Sequence, residues 1–123
     1  MSKVKYTAAS AAQGVEQAFK MLEGRWKLVI LFHLFSGKLL RFSDLERAIP
    51  AISQKMLIQQ LRDLEGSGVV VRKVYPDVPP KVEYALTAEG LALRPALVAL
   101  KLWAGSRKGN PLNPPNEHLR SQF

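Results

Sequence analysis

Two short amphipathic segments, separated by a three-residue break, most constrain the fold of this chain. The first segment carries Leu45, Ala48 and Ile49 at the i, i+3, i+4 spacing of one helix face. The break Pro50-Ala51-Ile52 ends it, because a proline disfavours helical geometry at the residue before it. A new apolar stripe begins at Leu57. We therefore expect two short helices joined by a turn, rather than one long helix.

Capping residues mark where these helices begin and end. Ser43, with Glu46 three residues later, predicts a capping box at the start of the first helix. Ser53 is a good N-cap for the second helix, and Gly66 and Gly68 provide its C-terminal stop. The second helix is thus expected to run from Ser53 to about residue 64.

The second helix is predicted to have one packed face and one outward face. At about 100° per residue, three leucines fall on one arc and three long polar residues fall on the opposite arc. Lysine and arginine reach guanine or phosphate oxygens, and glutamine pairs with adenine. The same residue types also occupy ordinary solvated helix faces, so only the neighbouring elements favour recognition. The packed positions are Leu57, Leu61 and Leu64, and the outward positions are Lys55, Gln59 and Arg62.

A β-hairpin is predicted after the second helix, with strands over residues 69–75 and 81–86 and a proline-rich tip between them. Its cations could contact a DNA backbone or minor groove, although an ordinary hairpin can also carry charged rims. A short strand near residues 39–42 is expected to pair with it. The fold class is therefore mainly α with a small β-hairpin (α+β), a winged helix-turn-helix. The hairpin cations are Arg72, Lys73 and Lys81.

Several motifs recur in the order found in a known family. The chain resembles the HxlR-type winged helix-turn-helix transcriptional regulators of bacteria, relatives of the MarR type, over roughly residues 15–103. The motifs are Gly24-Arg25-Trp26, Arg41-Phe42-Ser43-Asp44-Leu45, Ile49-Pro50-Ala51-Ile52-Ser53-Gln54-Lys55-Met56-Leu57, Leu61-Arg62-Asp63-Leu64-Glu65, Val74-Tyr75-Pro76-Asp77-Val78-Pro79-Pro80, Val82-Glu83-Tyr84 and Leu86-Thr87.

This resemblance implies a homodimeric regulator that binds double-stranded DNA at an inverted-repeat operator, with the second helix in the major groove and the hairpin as wing. Ser53, Gln54, Lys55 and Gln59 match the base-proximal positions, and Arg62 matches a backbone contact. Many such regulators carry a sensing cysteine near the N-terminus, but this chain has no cysteine. Thiol chemistry is therefore excluded within it.

A second copy of the chain is the expected partner of the apolar N- and C-terminal helices. The last helix, capped by Thr87, has leucines on two opposite faces, and a domain of this size has one core. One face is therefore predicted to pack on the twin subunit. The predicted dimerisation residues are Val15 and Phe19 in the N-terminal helix, with Leu93, Leu97, Leu100 and Trp103 in the last helix.

Charge and composition agree with a nucleic-acid partner. The 123 residues carry a formal net charge of +8, although residues 41–86 are nearly neutral and their acids are expected to face away from DNA. We expect a basic N-terminal arm at 1–12, the DNA-binding domain with its dimerisation helices at 13–104 and a disordered tail at 105–123. The apolar run 28–35 is too short for a membrane span. The absence of cysteine fits the cytoplasm.

Catalysis has no basis in the sequence. No catalytic, cofactor-binding or metal-binding pattern is recognisable, and His33 is best explained as a core histidine, so a non-enzyme is expected. Phe19, Trp26, Phe32 and Trp103 could surround a small aromatic effector of unknown identity, or simply pack. A winged-helix protein-interaction module without sequence-specific DNA binding remains the alternative function.

Overall fold

The computed structural model describes residues 6–107, which form five α-helices and one three-stranded antiparallel sheet. This architecture confirms the expected α+β winged helix-turn-helix. The elements are α1 (Ala8–Leu22), α2 (Lys27–Leu34), β1 (Leu40–Arg41), α3 (Phe42–Ala48), α4 (Gln54–Gly66), β2 (Val70–Tyr75), β3 (Lys81–Leu86) and α5 (Ala88–Ser106).

The sheet has the strand order β1-β3-β2, so the short strand before α3 pairs with the hairpin as expected. Leu40 lies opposite Tyr84 in the β1–β3 pair. In the hairpin, Val70 lies opposite Leu86, and Tyr75 lies opposite Lys81. Because side chains alternate along a strand, this register places Tyr84 on the face that packs on the helices, where it is buried.

The core lies beneath α2, where α3, α4 and the sheet meet. The segment around α2 contributes the most completely buried side chains, as its nearly continuous apolar sequence predicts. The three leucines of α4 pack into the same cluster, which fixes the rotation of that helix about its axis. The fully buried large residues are Phe35, Ile30, Leu31, Leu34, Leu45, Leu57, Leu61 and Leu64.

The start of α3 differs from the predicted capping box. Arg41, not Ser43, is the N-cap, and the Asp44 carboxylate accepts the Arg41 backbone N–H at 2.8 Å. The helix begins early because β1 ends at Arg41, where the chain turns directly from the sheet into the helix. Asp44 therefore performs the role that the sequence assigned to Glu46.

The helices at both ends of the chain extend beyond the expected apolar stripes. Thr7 caps α1 by accepting the Ser10 backbone N–H, so part of the expected arm 1–12 is helical. At the other end, Gly105 and Ser106 belong to α5 rather than to the expected tail. Residues 1–5 and 108–123, which belong to these two segments, lie outside the described residues.

No helix between residues 6 and 107 is long and apolar enough to cross a membrane.

A tight junction joins the wing to α5. The Thr87 backbone N–H donates to the Val69 carbonyl at 3.1 Å, and the Thr87 hydroxyl donates to the Gly68 carbonyl at 2.6 Å. The same hydroxyl accepts the Gly90 backbone N–H at 3.1 Å and so caps the helix. The start of α5 is therefore fixed against the strand that leads into the wing.

Candidate nucleic-acid interface

The helix α4 presents its polar side to solvent because its opposite side is fixed in the core. The Ser53 hydroxyl accepts the Met56 backbone N–H at 3.1 Å, which confirms the predicted N-cap. The predicted core leucines are buried, and the predicted base-proximal and backbone-contact residues are all exposed. These exposed residues are Ser53, Gln54, Lys55, Gln59 and Arg62.

Part of the outward face of α4 is already hydrogen-bonded within the chain. The Gln59 amide donates to Asp63 Oδ1 at 3.0 Å, so this predicted base-reading side chain has an internal partner. Asp63 Oδ2 lies 3.4 Å from Lys27 Nζ, which also donates to Gln60 Oε1 at 2.9 Å. Asp63 is exposed next to Gln59, and it does not face away as the charge argument expected.

Lys27 is a residue that the sequence reasoning missed. Its side chain is mostly buried at the start of α2, and its ammonium group connects α2 to α4. It also donates to the Glu23 carbonyl at 3.3 Å, at the end of α1. No local pattern could have indicated this role, because Lys27 and Gln60 are 33 residues apart in the sequence.

A polar cleft of about 290 Å³ separates α4 from the wing. Arg62 and Glu65 of α4 line it on one side, and Arg72 and Tyr84 of the sheet line it on the other. Arg72 Nε lies 3.9 Å from Glu65 Oε2, and both side chains keep partial contact with solvent. Burial raises the pKa of the Tyr84 phenol, and the nearby Glu65 carboxylate raises it further. The two arginines give the cleft a net positive charge.

The three wing cations are divided between the two faces of the hairpin. Arg72 pairs with Tyr84 and therefore lies on the face towards α4. Lys73 and Lys81 lie on the other face, where both neighbour Glu83. Lys81 Nζ is 3.8 Å from Glu83 Oε2 and 4.9 Å from the centroid of the Tyr75 ring. The structure thus brings Arg72 together with α4 but separates it from the two lysines.

An apolar cavity of about 560 Å³ lies between α1 and α5, where the sequence placed the dimerisation residues. Phe19 is 55% exposed and Trp103 is 60% exposed, so two large rings are largely uncovered in one copy of the chain. Leu97 is only 6% exposed and belongs to the core of the protomer, so it offers little surface to a partner. Of the remaining residues of the set, Val15 and Leu100 are exposed and Leu93 is half-buried.

The four aromatic residues considered for an effector site are dispersed. Phe19 and Trp103 line the cavity between α1 and α5. Phe32 lines a neighbouring cavity of about 420 Å³ and packs edge-to-face on Phe35. Trp26 lies under the Arg25 guanidinium, whose Cζ is 4.5 Å from the ring centroid.

Among residues 6–107, no group of three histidine, aspartate or glutamate side chains is arranged to hold a metal ion.

Comparison with known proteins places this geometry in a family. The sequence model of the HxlR-like helix-turn-helix family matches residues 21–110. The chain belongs to this family. The match spans α2, the helix pair, the wing and α5, and the chain is a transcriptional regulator built on a DNA-binding helix-turn-helix.

Individual relatives agree with this membership. An HTH-type transcriptional regulator of Methanothermobacter thermautotrophicus is 48% identical over 99 residues, 78% of this chain and 75% of the relative. A MarR-family transcriptional regulator from Enterococcus faecalis has a TM-score of 0.75 at 35% identity, covering 81% of this chain and 90% of that one. The redox regulator HypR in its reduced form has a TM-score of 0.73 at 41% identity, covering 78% and 94%.

Proposed function

We propose that this member of the HxlR-like family acts in the cytoplasm as a homodimer that binds an inverted-repeat operator in double-stranded DNA. The observation that carries the proposal is the exposed polar side of α4, which is held outward by the three buried leucines of the same helix. The wing lies beside this surface, as in other proteins that insert a recognition helix into the major groove.

The exposed residues divide into two roles by their chemistry and position. Ser53 caps α4, and Gln54, Lys55 and Gln59 lie in its first two turns, where recognition helices reach base edges. The Gln59 amide nitrogen donates one of its two hydrogens to Asp63 in the free protein, so its second hydrogen and its carbonyl oxygen are left for a base edge. Base reading by Gln59 is therefore compatible with this internal hydrogen bond.

The remaining cations are assigned to the sugar–phosphate backbone. Arg62 and Arg72 lie on the two sides of the cleft between α4 and the wing, so one strand of DNA could contact both. Lys73 and Lys81 lie on the other face of the hairpin, where they suit a more distant phosphate. These contacts supply salt-dependent affinity without base preference.

The apolar surface between α1 and α5 supports the homodimer. Two exposed rings and several aliphatic side chains line one cavity there, and a symmetric contact would cover them with the same surface of a second copy. A dimer with two-fold symmetry presents two copies of α4, spaced by about one DNA turn or a multiple of it. An inverted repeat has the matching symmetry.

The regulatory signal must differ from cysteine oxidation. HypR is named a redox regulator, but this chain has no cysteine to oxidise. Its signal would therefore be a ligand, a protein partner or its own expression level. The apolar cavities beside α5 have the size and chemistry to accept a small apolar ligand.

A binding titration tests the proposed function. The full chain is titrated by fluorescence anisotropy against the duplex upstream of its own gene and a scrambled duplex, at several salt concentrations. We expect preference for the native duplex and a steep loss of affinity with salt. Equal, weak binding to both duplexes would instead favour a winged-helix protein-interaction module.

Two variants separate base reading from backbone contact. Gln59→Ala is expected to change the preferred base at one position, at a cost of about 1 to 3 kcal/mol for the original base. Arg62→Ala is expected to weaken binding to all sequences alike and to reduce the salt slope by about 1. Uniform loss of affinity in both variants would contradict this division of roles.

A further inference from the structure

An aliphatic side chain, Ile58, interrupts the polar outward surface of α4. It is 38% exposed, whereas the three core leucines of the same helix are almost completely buried. One helical turn separates Ile58 from Gln54 on one side and from Arg62 on the other. An apolar group therefore lies among the polar residues that we propose to contact DNA.

The surroundings of Ile58 are mainly polar. It lines the cleft between α4 and the wing together with Arg62, Glu65, Arg72 and Tyr84. A single exposed isoleucine is ordinary on protein surfaces, so the informative observation is where Ile58 lies and not that it is exposed. At this position, Ile58 lies between Gln54, which we assign to base edges, and Arg62, which we assign to the DNA backbone.

The major groove offers one aliphatic group to such a side chain. Thymine carries a C5-methyl group at its major-groove edge, and the other three bases of DNA present hydrogen-bonding atoms there without a methyl group. Contact between that methyl group and Ile58 would remove apolar surface of both from water. This contact needs no donor or acceptor, so it adds to the readout by Gln54 and Gln59.

We infer that Ile58 contacts the C5-methyl group of a thymine and so favours T·A at one position of each half-site. The inference rests on the proposed function, because it requires α4 to enter the major groove. Burial of one methyl-sized group corresponds to about a fourfold change in affinity. Removing that methyl group alone should therefore weaken binding by about fourfold at each substituted half-site.

Replacement of thymine by deoxyuridine tests this contact, because it removes the C5-methyl group and leaves the base-pairing atoms unchanged. The wild-type chain first enriches a duplex from a pool of synthetic duplexes with a randomised centre. Each thymine of the enriched duplex is then replaced in turn, and affinity is measured by anisotropy. We expect one thymine of the half-site whose replacement weakens wild-type binding by about fourfold.

Variants of α4 assign the effect to Ile58. Ile58→Ala is expected to bind the thymine and deoxyuridine duplexes equally at that position. Met56→Ala is the matched control, because Met56 is also 38% exposed but lies on the other side of α4, where its sulfur accepts the Gln60 amide. This control should keep the fourfold difference. Ile58→Val, which shortens the side chain by one methyl group, should reduce the difference and serves if Ile58→Ala does not fold.

The outcomes separate failure of the inference from failure of the proposed function. If a duplex is enriched but no thymine replacement affects wild-type binding, the methyl contact is wrong and the regulator function stands. The same holds if Ile58→Ala or Ile58→Val retains the full fourfold difference. If no duplex is enriched above the random pool, the proposed operator binding fails, and the inference falls with it.

Discussion

The junction between the wing and α5 provides a stability prediction in which the same substitution has opposite effects at two sites. A Cβ atom on Gly90 would lie 2.1 Å from the Val69 carbonyl oxygen and 3.1 Å from a Leu86 methyl group. Contacts of Cβ atoms below 3.0 Å are essentially never observed, so one of the two backbones must move by roughly 1 Å. The carbonyl cannot move freely, because it accepts the Thr87 backbone N–H.

We expect Gly90→Ala to destabilise the protein by about 1 to 3 kcal/mol. Overpacking costs about 1 to 3 kcal/mol, and weakening the Thr87 hydrogen bond adds about 1 kcal/mol. The higher helix propensity of alanine offsets about 1 kcal/mol of this cost. Gly14→Ala in α1 is the matched control, because no atom lies within 4 Å of its Cβ position. The control should stabilise the protein by about 0.5 to 1 kcal/mol.

Urea unfolding followed by circular dichroism, at one protein concentration for wild type and both variants, measures this difference. The midpoint should fall for Gly90→Ala and rise for Gly14→Ala. If Gly90→Ala unfolded at the wild-type midpoint or above it, the close approach of α5 to Val69 would not be a rigid feature of the fold. Gly14 also lines the cavity between α1 and α5, so a decrease for Gly14→Ala would show that the added methyl group disturbs that surface.

Three further predictions concern the interfaces and the wing. Glu65→Gln should raise affinity for both specific and scrambled DNA by about two- to fivefold in anisotropy titrations, because it removes a carboxylate from the cleft beside Arg72. Unchanged affinity would show that the DNA phosphates do not lie in this cleft. Phe19→Glu should weaken dimerisation by more than about tenfold in sedimentation equilibrium. The protomer should stay folded, because Phe19 is exposed in one copy. An unchanged dimer would exclude the α1–α5 surface as the dimer contact. The hydrogen bond to Glu83 raises the pKa of Tyr75 above its usual value, because it stabilises the neutral phenol. Glu83→Gln should therefore lower the pKa of Tyr75 in an NMR titration. An unchanged pKa would disprove the contact.

The helix pair and the hairpin could be predicted because their signals are local. The apolar spacing that ends at Ile49, the proline after it and the cap at Ser53 act within a few residues of one another. The structure confirms the turn between α3 and α4 and the burial of the α4 leucines. The predicted cap at Ser43 was wrong, because pairing of β1 with β3 ends at Arg41 and so determines where α3 begins.

The contacts that join side chains of different elements in the candidate site could not be predicted in the same way. The contact of Lys27 with Gln60 joins residues far apart in the sequence, and Glu65 meets Arg72 only where α4 packs beside the wing. Leu97 shows the same limit within α5, because helical spacing identified an apolar face without indicating whether the core or a partner covers it.

The sequence alone determined which residues share the outward side of α4, because the angular position of a side chain on a helix follows from its number along the chain. Only the tertiary structure decided how that side meets other elements, including the contact of Asp63 with Lys27 and the position of Ile58 at the cleft beside the wing. The physical reason is the separation along the chain over which each kind of interaction acts. Helix periodicity depends on hydrogen bonds between residues four apart, whereas the charges and cavities around α4 depend on how separate elements pack together.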